Sequence, residues 1–183
     1  MEIHDTKHLY HYYEKNKPPF RTLTALPFEE AKAVVCTWED GRTGGGDGPI
    51  DEAWVNDFLH LRYERDELLR EKFISIGGKP IRTAPVYFTL GANEEIKTWF
   101  KEPEWIKIPI NEFDLDAVSF TYGDSFTVFS PLLYTGEEWH GKVFLYDEIL
   151  KIIDKYDFPK EPNLIFVEAH VWSDEVLNKY HST

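Results

Sequence analysis

Cysteine is almost missing from this chain: Cys36 stands alone among 183 residues. An internal disulfide is therefore impossible, and a reducing compartment such as the cytoplasm is the expected setting. Long apolar runs are missing as well. No stretch approaches the ~20 residues that cross a bilayer, and no basic head followed by an apolar run opens the chain. Neither a membrane partner nor a secretory leader is expected. Basic charge is scarce: 20 Lys and Arg stand against 33 Asp and Glu, a net charge of −13. Such a balance repels a phosphate backbone, so no nucleic-acid partner is expected. The densest basic stretch, RYERDELLREK (62–72), is interleaved with acids. Asp66 and Arg70 lie one helical turn apart in it, and the segment reads as a solvated helix face laced with ion pairs.

Aromatic side chains, in contrast, are plentiful: 13 Phe, 10 Tyr and 6 Trp. Each buried ring removes a large area from water, which excludes a disordered chain, and the length suits a single globular domain over residues 1–183. Strand patterns fall at His8–Glu14, PVYFTLG (85–91), WIKIPI (105–110), DAVSFTYGDSF (116–126) and LIFVEAHVW (164–172). Pro27 opens a helix with Glu29 and Glu30 in its first turn and a stripe of Phe28, Ala31, Val34, Val35 and Trp38. Asp51 can cap the longest helix, which runs to about Ile76 with Trp54, Phe58, Leu61, Leu68 and Leu69 near one face. Shorter helices are expected in NEEIKTWF, YDEILKIIDKYD and SDEVLNKY. The predicted fold is α+β: a mixed, largely antiparallel sheet of five to seven strands with one long and several short helices.

Five glycines crowd GRTGGGDGP (41–49), but no Gly-Lys-Ser/Thr follows, so a flexible loop is expected rather than a phosphate cradle. Cys36 should join the apolar face of its helix, and no nucleophile elbow accompanies it. His4, His8 and His11 are spaced for a helix, yet the Tyr-rich run around them reads as strand and would scatter the rings, so no metal site is expected. The last strand has one uniformly apolar face, Ile165, Val167, Ala169 and Val171, while Glu168 and His170 share the other with Leu164, Phe166 and Trp172. A carboxylate among aromatics on a strand is either in water or in a cleft that tunes it. His11, between Leu9 and Tyr13, is either a satisfied structural histidine or a ligand contact. SFTYGDS (119–125) reads as a strand end with a Gly123-Asp124 turn, its hydroxyls forming a polar rim.

Four segments carry a likeness: LYH (9–11), VYFT (86–89), ANEEIKTW (92–99) and VEAHVW (167–172). Their order resembles small bacterial ADP-ribosyltransferase-like proteins. The resemblance implies NAD or another nucleotide as ligand, with His11 on the ribose, Tyr87 stacking, and Glu168 as the catalytic acid opposite a developing oxocarbenium charge. Thr89 and Ser119 join His11 and Tyr87 as the cofactor-binding set on that reading. Tyr12 stands where those proteins carry a small residue, and the helix of 51–76 is an insertion relative to them. The phrases PVYFTLG, IPINEFD and SFTYGDS also resemble those of an uncharacterised bacterial family, a likeness that implies no activity. The alternative reading is a non-enzymatic acidic protein, an immunity or regulatory partner that neutralises a basic protein. The two readings part on whether His11, Tyr87 and Glu168 line one hollow.

Overall fold

The computed structural model describes residues 5–38, 51–134, 136–160 and 164–181; the glycine loop of 41–49 and His4 lie outside the described residues. The elements, in chain order, are β1 (His8–Glu14), α1 (Phe28–Val35), α2 (Glu52–Ser75), β2 (Val86–Leu90), α3 (Glu94–Lys97), β3 (Pro103–Pro109), β4 (Val118–Thr121), α4 (Ser125–Val128), α5 (Tyr146–Tyr156), β5 (Val167–Val171) and α6 (Leu177–Tyr180). The strands form one five-stranded sheet in the order β3-β1-β2-β5-β4, with every neighbouring pair antiparallel. The expected α+β class is thus observed. No described helix is long and apolar enough to cross a membrane.

Because successive side chains on a strand point to opposite faces, the register sorts the sheet into two different surfaces. One is apolar. Leu9, Phe88, Leu90, Val118, Phe120, Val167, Ala169 and Val171 form it, and Ile149 of α5 and Leu177 of α6 close over it. The opposite face is polar where β2, β5 and β4 run together. Tyr87 pairs across to His170 and His170 to Ser119, and the next row joins Thr89, Glu168 and Thr121. Toward β1 this face becomes aromatic, with Tyr10 and Tyr12 packed against Ile96 of α3 and Phe166.

α2 lies over the polar rows. Asp51 caps it by accepting from the Trp54 N–H at 2.8 Å, as its position before the helix predicts. At one end of its inward stripe, Val55 and Leu59 pack with Ala31 and Val35 of α1. At the other, Leu69 and Phe73 meet Val143 and Trp172, with the Phe73 and Trp172 rings stacked at 6.3 Å. Between these apolar ends the stripe continues as Arg62, Arg65 and Asp66. Two sequence expectations are corrected here. Leu61, placed on the apolar face, is 45 % exposed, and Asp66, placed in a solvated ion-paired face, is 3 % exposed. Arg70 does not meet Asp66; it donates instead to the Arg82 and Pro80 carbonyls. Cys36 is exposed rather than packed on the apolar face of α1.

The turn after β4 sets the position of α4. Gly123 adopts φ +116°, and a Cβ there would lie 2.6 Å from Leu164 Cδ2. Both the backbone angle and the contact exclude a larger residue. Gly123→Ala is expected to destabilise the fold by about 2 kcal/mol or more. The check is the shift of the urea midpoint at constant slope.

Candidate functional site

The polar rows of the sheet and the middle of α2 face each other, and the side chains between them form a charged cluster. Asp66 is its clamp to the sheet: Tyr87 Oη–H donates to Asp66 Oδ1 and the Thr24 hydroxyl donates to Oδ2. Both carboxylate oxygens are therefore used. Burial nevertheless raises the Asp66 pKa above the ordinary aspartate value, against the pull of Arg62. The two guanidiniums are walled by rings. Arg62 lies 4.8 Å from the centre of the Tyr87 ring and 5.0 Å from that of Phe126, while Arg65 lies 5.4 Å from Phe126 and 5.3 Å from Phe129. Such contacts let a desolvated guanidinium keep its charge. Burial works against the charge of Arg62, but Tyr87, Asp66, Glu168 and Asp124 around it outweigh that and raise its pKa. Burial prevails at Arg65 and lowers it.

A second chain of bonds runs along β5 and β4. The Trp172 indole N–H donates to Ser119 Oγ at 2.8 Å, Ser119 Oγ lies 3.1 Å from His170 Nδ1, and His170 Nε2 lies 3.1 Å from Glu168 Oε2. Since Trp172 can only donate, the Ser119 proton is free for Nδ1, which leaves the neutral imidazole's proton on Nε2 for Glu168. The Ser125 backbone N–H donates to the same Glu168 oxygen at 2.9 Å. Burial alone would raise the Glu168 pKa, but the bonds from His170 and Ser125 prevail and hold it below the ordinary range. Asp124, the N-cap of α4, accepts from the Phe126 N–H at 2.8 Å and the Thr127 N–H at 3.4 Å, both on Oδ1. Burial, then the neighbouring Glu168 charge, pushes Asp124 up to about 6. The two carboxyls thus titrate as a pair in which Glu168 stays charged and Asp124 takes the proton.

The residues expected to form one hollow divide between the two faces. Tyr87, Thr89, Ser119 and Glu168 share the polar face. His11 does not. It follows Leu9 by two positions and so points with it into the apolar core, 4.9 Å from the Phe20 ring and 5.1 Å from that of Phe88. The sheet separates it from Glu168. Its nitrogens are both satisfied: Nδ1 lies 2.9 Å from the Tyr87 carbonyl, and Nε2 accepts from the Phe20 N–H at 2.9 Å. That second bond also secures Phe20, a non-glycine residue held at φ 60°. His11 is a structural histidine, not a ribose contact. Thr89 and Ser119 are also closed off: Thr89 donates to the Gly91 carbonyl, and Ser119 is fully buried.

The sequence reading missed Arg62, Arg65, Asp66, Asp124 and His170. A usable signal was present. Val55, Leu59, Arg62, Asp66, Leu69 and Phe73 recur at alternating intervals of four and three, so the charged pair occupies the middle of an unbroken helical stripe. Several polar atoms here have no partner among the described residues: Arg62 Nε, Arg65 Nε and Nη1, and Ser125 Oγ. Among the described residues, no group of three or more His, Cys, Asp or Glu side chains is arranged to hold a metal ion. No protein family, curated protein or solved structure matches the chain.

Two opposite pH dependences follow. The His11 pKa is lowered to about 4 by burial, against 6.5 for a free histidine. Below pH 6.5 the unfolded chain gains a proton that the native state refuses until about pH 4, so this residue costs stability as pH falls through that window. The difference amounts to about 3 kcal/mol at its limit. Asp124 runs the other way: its folded pKa exceeds the unfolded one, so its cost is present above about pH 6 and disappears as pH falls to 3.8. His11→Gln should therefore lose the acid-side decline. Asp124→Asn keeps an N-cap side chain and should be more stable than wild type near neutrality, with the gain shrinking toward about pH 4. Urea midpoints for the three proteins across this range give the comparison.

Proposed function

We propose that the chain is a nucleotide-binding domain of ADP-ribosyltransferase-like ligand class, taking NAD or a related nucleotide on the polar sheet face beneath α2. The observation that carries this reading is Arg65. Its side chain is 92 % removed from solvent by its 8 % residual exposure, yet Nε and Nη1 make no hydrogen bond among the described residues. Buried guanidinium N–H groups left without acceptors are costly, and a phosphate oxygen is the acceptor whose shape and charge fit them best. Arg62, beside it, adds a second positive charge with an unpartnered Nε. Tyr87 walls the same space, and Glu168, fixed by His170 and Ser125, sits on the same face as the acid available to a positive ribose charge. The reading uses Tyr87 and Glu168 of the resemblance and gives up His11. An intracellular, cytoplasmic setting belongs to it, consistent with the exposed, unpaired Cys36.

Calorimetry with NAD and ADP tests it. Binding in the millimolar range or tighter is expected, and Arg65→Met should weaken it by about tenfold or more. The same variant should melt no lower than wild type, because it removes a buried charge that has no partner. Absence of heat from both nucleotides would overturn the reading. Glycohydrolysis of NAD that is equal in wild type and Glu168→Gln would remove the catalytic role of that acid alone.

A second reading rests on the outward side of α2. Asp57, Glu64, Glu67 and Glu71 are exposed there, and none forms an ion pair among the described residues. With a net charge of −13, this stripe suits a basic protein partner that an immunity or regulatory protein would neutralise. Capture of a basic protein at low salt that persists after all four residues are changed to Gln and Asn would dismiss it.

A further inference from the structure

The three carboxylates of the cluster are used unequally. Asp66 spends both oxygens on hydroxyl donors and is complete. Glu168 receives its bonds from Ser125 and His170 on Oε2, and Asp124 receives those of Phe126 and Thr127 on Oδ1. Neither Glu168 Oε1 nor Asp124 Oδ2 has a hydrogen bond among the described residues. Opposite them, Arg65 Nε and Nη1 and Arg62 Nε are buried donors without acceptors. These charges sense one another, for Glu168 and Asp124 both act on each guanidinium. Yet no ion pair joins either arginine to either acid among the described residues. Unsatisfied donors and unsatisfied acceptors thus line the same buried space without meeting.

We propose that this space takes a bipolar ligand, with an anionic group held by Arg65 and Arg62 and a hydrogen-bond-donating group, such as a carboxamide, held by Glu168 and Asp124. A purely anionic ligand would answer the arginines but face two acids; a neutral donor would leave the guanidiniums unanswered. Only a molecule carrying both ends completes the site. The inference rests on the nucleotide reading and sharpens it: the ring end of the nucleotide carries a donor rather than a second negative charge.

Nicotinamide mononucleotide and nicotinic acid mononucleotide form the probe pair. They share phosphate, ribose and ring, and differ in a carboxamide that donates against a carboxylate that does not. Wild type is expected to bind the amide about tenfold tighter or more, since a carboxylate would meet like charge. That preference should fall below about threefold in Glu168→Gln, while Arg65→Met weakens both ligands together. Asp124→Asn, which retains its capping side chain, should reduce the preference in the same direction and carries the test if Glu168→Gln does not fold. Equal binding of the two nucleotides to wild type would overturn the bipolar site and leave phosphate binding standing. Binding of neither at millimolar concentration would overturn both. Equal loss of the two ligands in Glu168→Gln would assign Glu168 to holding the fold and would also end the proposal.

Discussion

Charge desolvated between α2 and the sheet is the constraint on which the rest of this structure turns. Arg65 and Asp66 are buried and Arg62 half-buried, in a helix that could have met the sheet with leucine. Removing such groups from water costs several kcal/mol each unless partners answer them. The protein offers three kinds of answer. Hydroxyls of Tyr87 and Thr24 saturate Asp66, aromatic rings flank both guanidiniums, and the acids of β5 and the β4 turn keep Arg62 charged. Each answer fixes something else. Asp66 ties α2 to β2, Phe126 holds α4 beneath the arginines, and Gly123 permits the turn that brings Asp124 and Phe126 there.

The sheet divides its work by parity. Even-numbered and odd-numbered positions of β5 differ in kind as well as in direction: Val167, Ala169 and Val171 seal the apolar core, while Glu168 and His170 face the cluster. A slip of one residue would drive the acid into the apolar layer, so burial on both faces specifies the register strongly. The same parity places His11. Imidazole in that layer is tolerated because one nitrogen donates to a strand carbonyl and the other accepts from a left-handed residue's N–H, the arrangement that a neutral ring satisfies and a protonated ring cannot.

Elements were legible in the sequence because local patterns dictate them. The caps at Asp51 and Asn93, the alternation in VYFTL and VEAHV, and the glycine and proline boundaries place helices and strands close to where they lie. The site was not legible for two physical reasons. Which face of a strand is covered depends on distant segments, so Glu168 and His11 looked equivalent until the β1–β2–β5 pairing set them on opposite sides. And a run of alternating charges, RYERDELLREK, has the composition of a solvated face, although the spacing of Val55, Leu59, Arg62, Asp66, Leu69 and Phe73 already places two of its charges in the buried stripe. Composition and phase disagreed there, and phase was the better guide.

That disagreement bears on what the cluster is for. Were its purpose only to dock α2, the saturated Asp66 together with the apolar contacts of Leu59, Leu69 and Phe73 would be enough, and apolar residues at 62 and 65 would dock it at least as well. Structural polar groups in this protein are completed, as His11, Thr89, Ser119 and His170 all show. Arg62, Arg65, Glu168 and Asp124 are held in position with bonding capacity to spare. Side chains fixed by their surroundings yet left incomplete are costly to keep dry, and an occupant with matching groups removes that cost. The contrast between completed and incomplete groups within one cluster separates the residues that build the site from those that face what enters it.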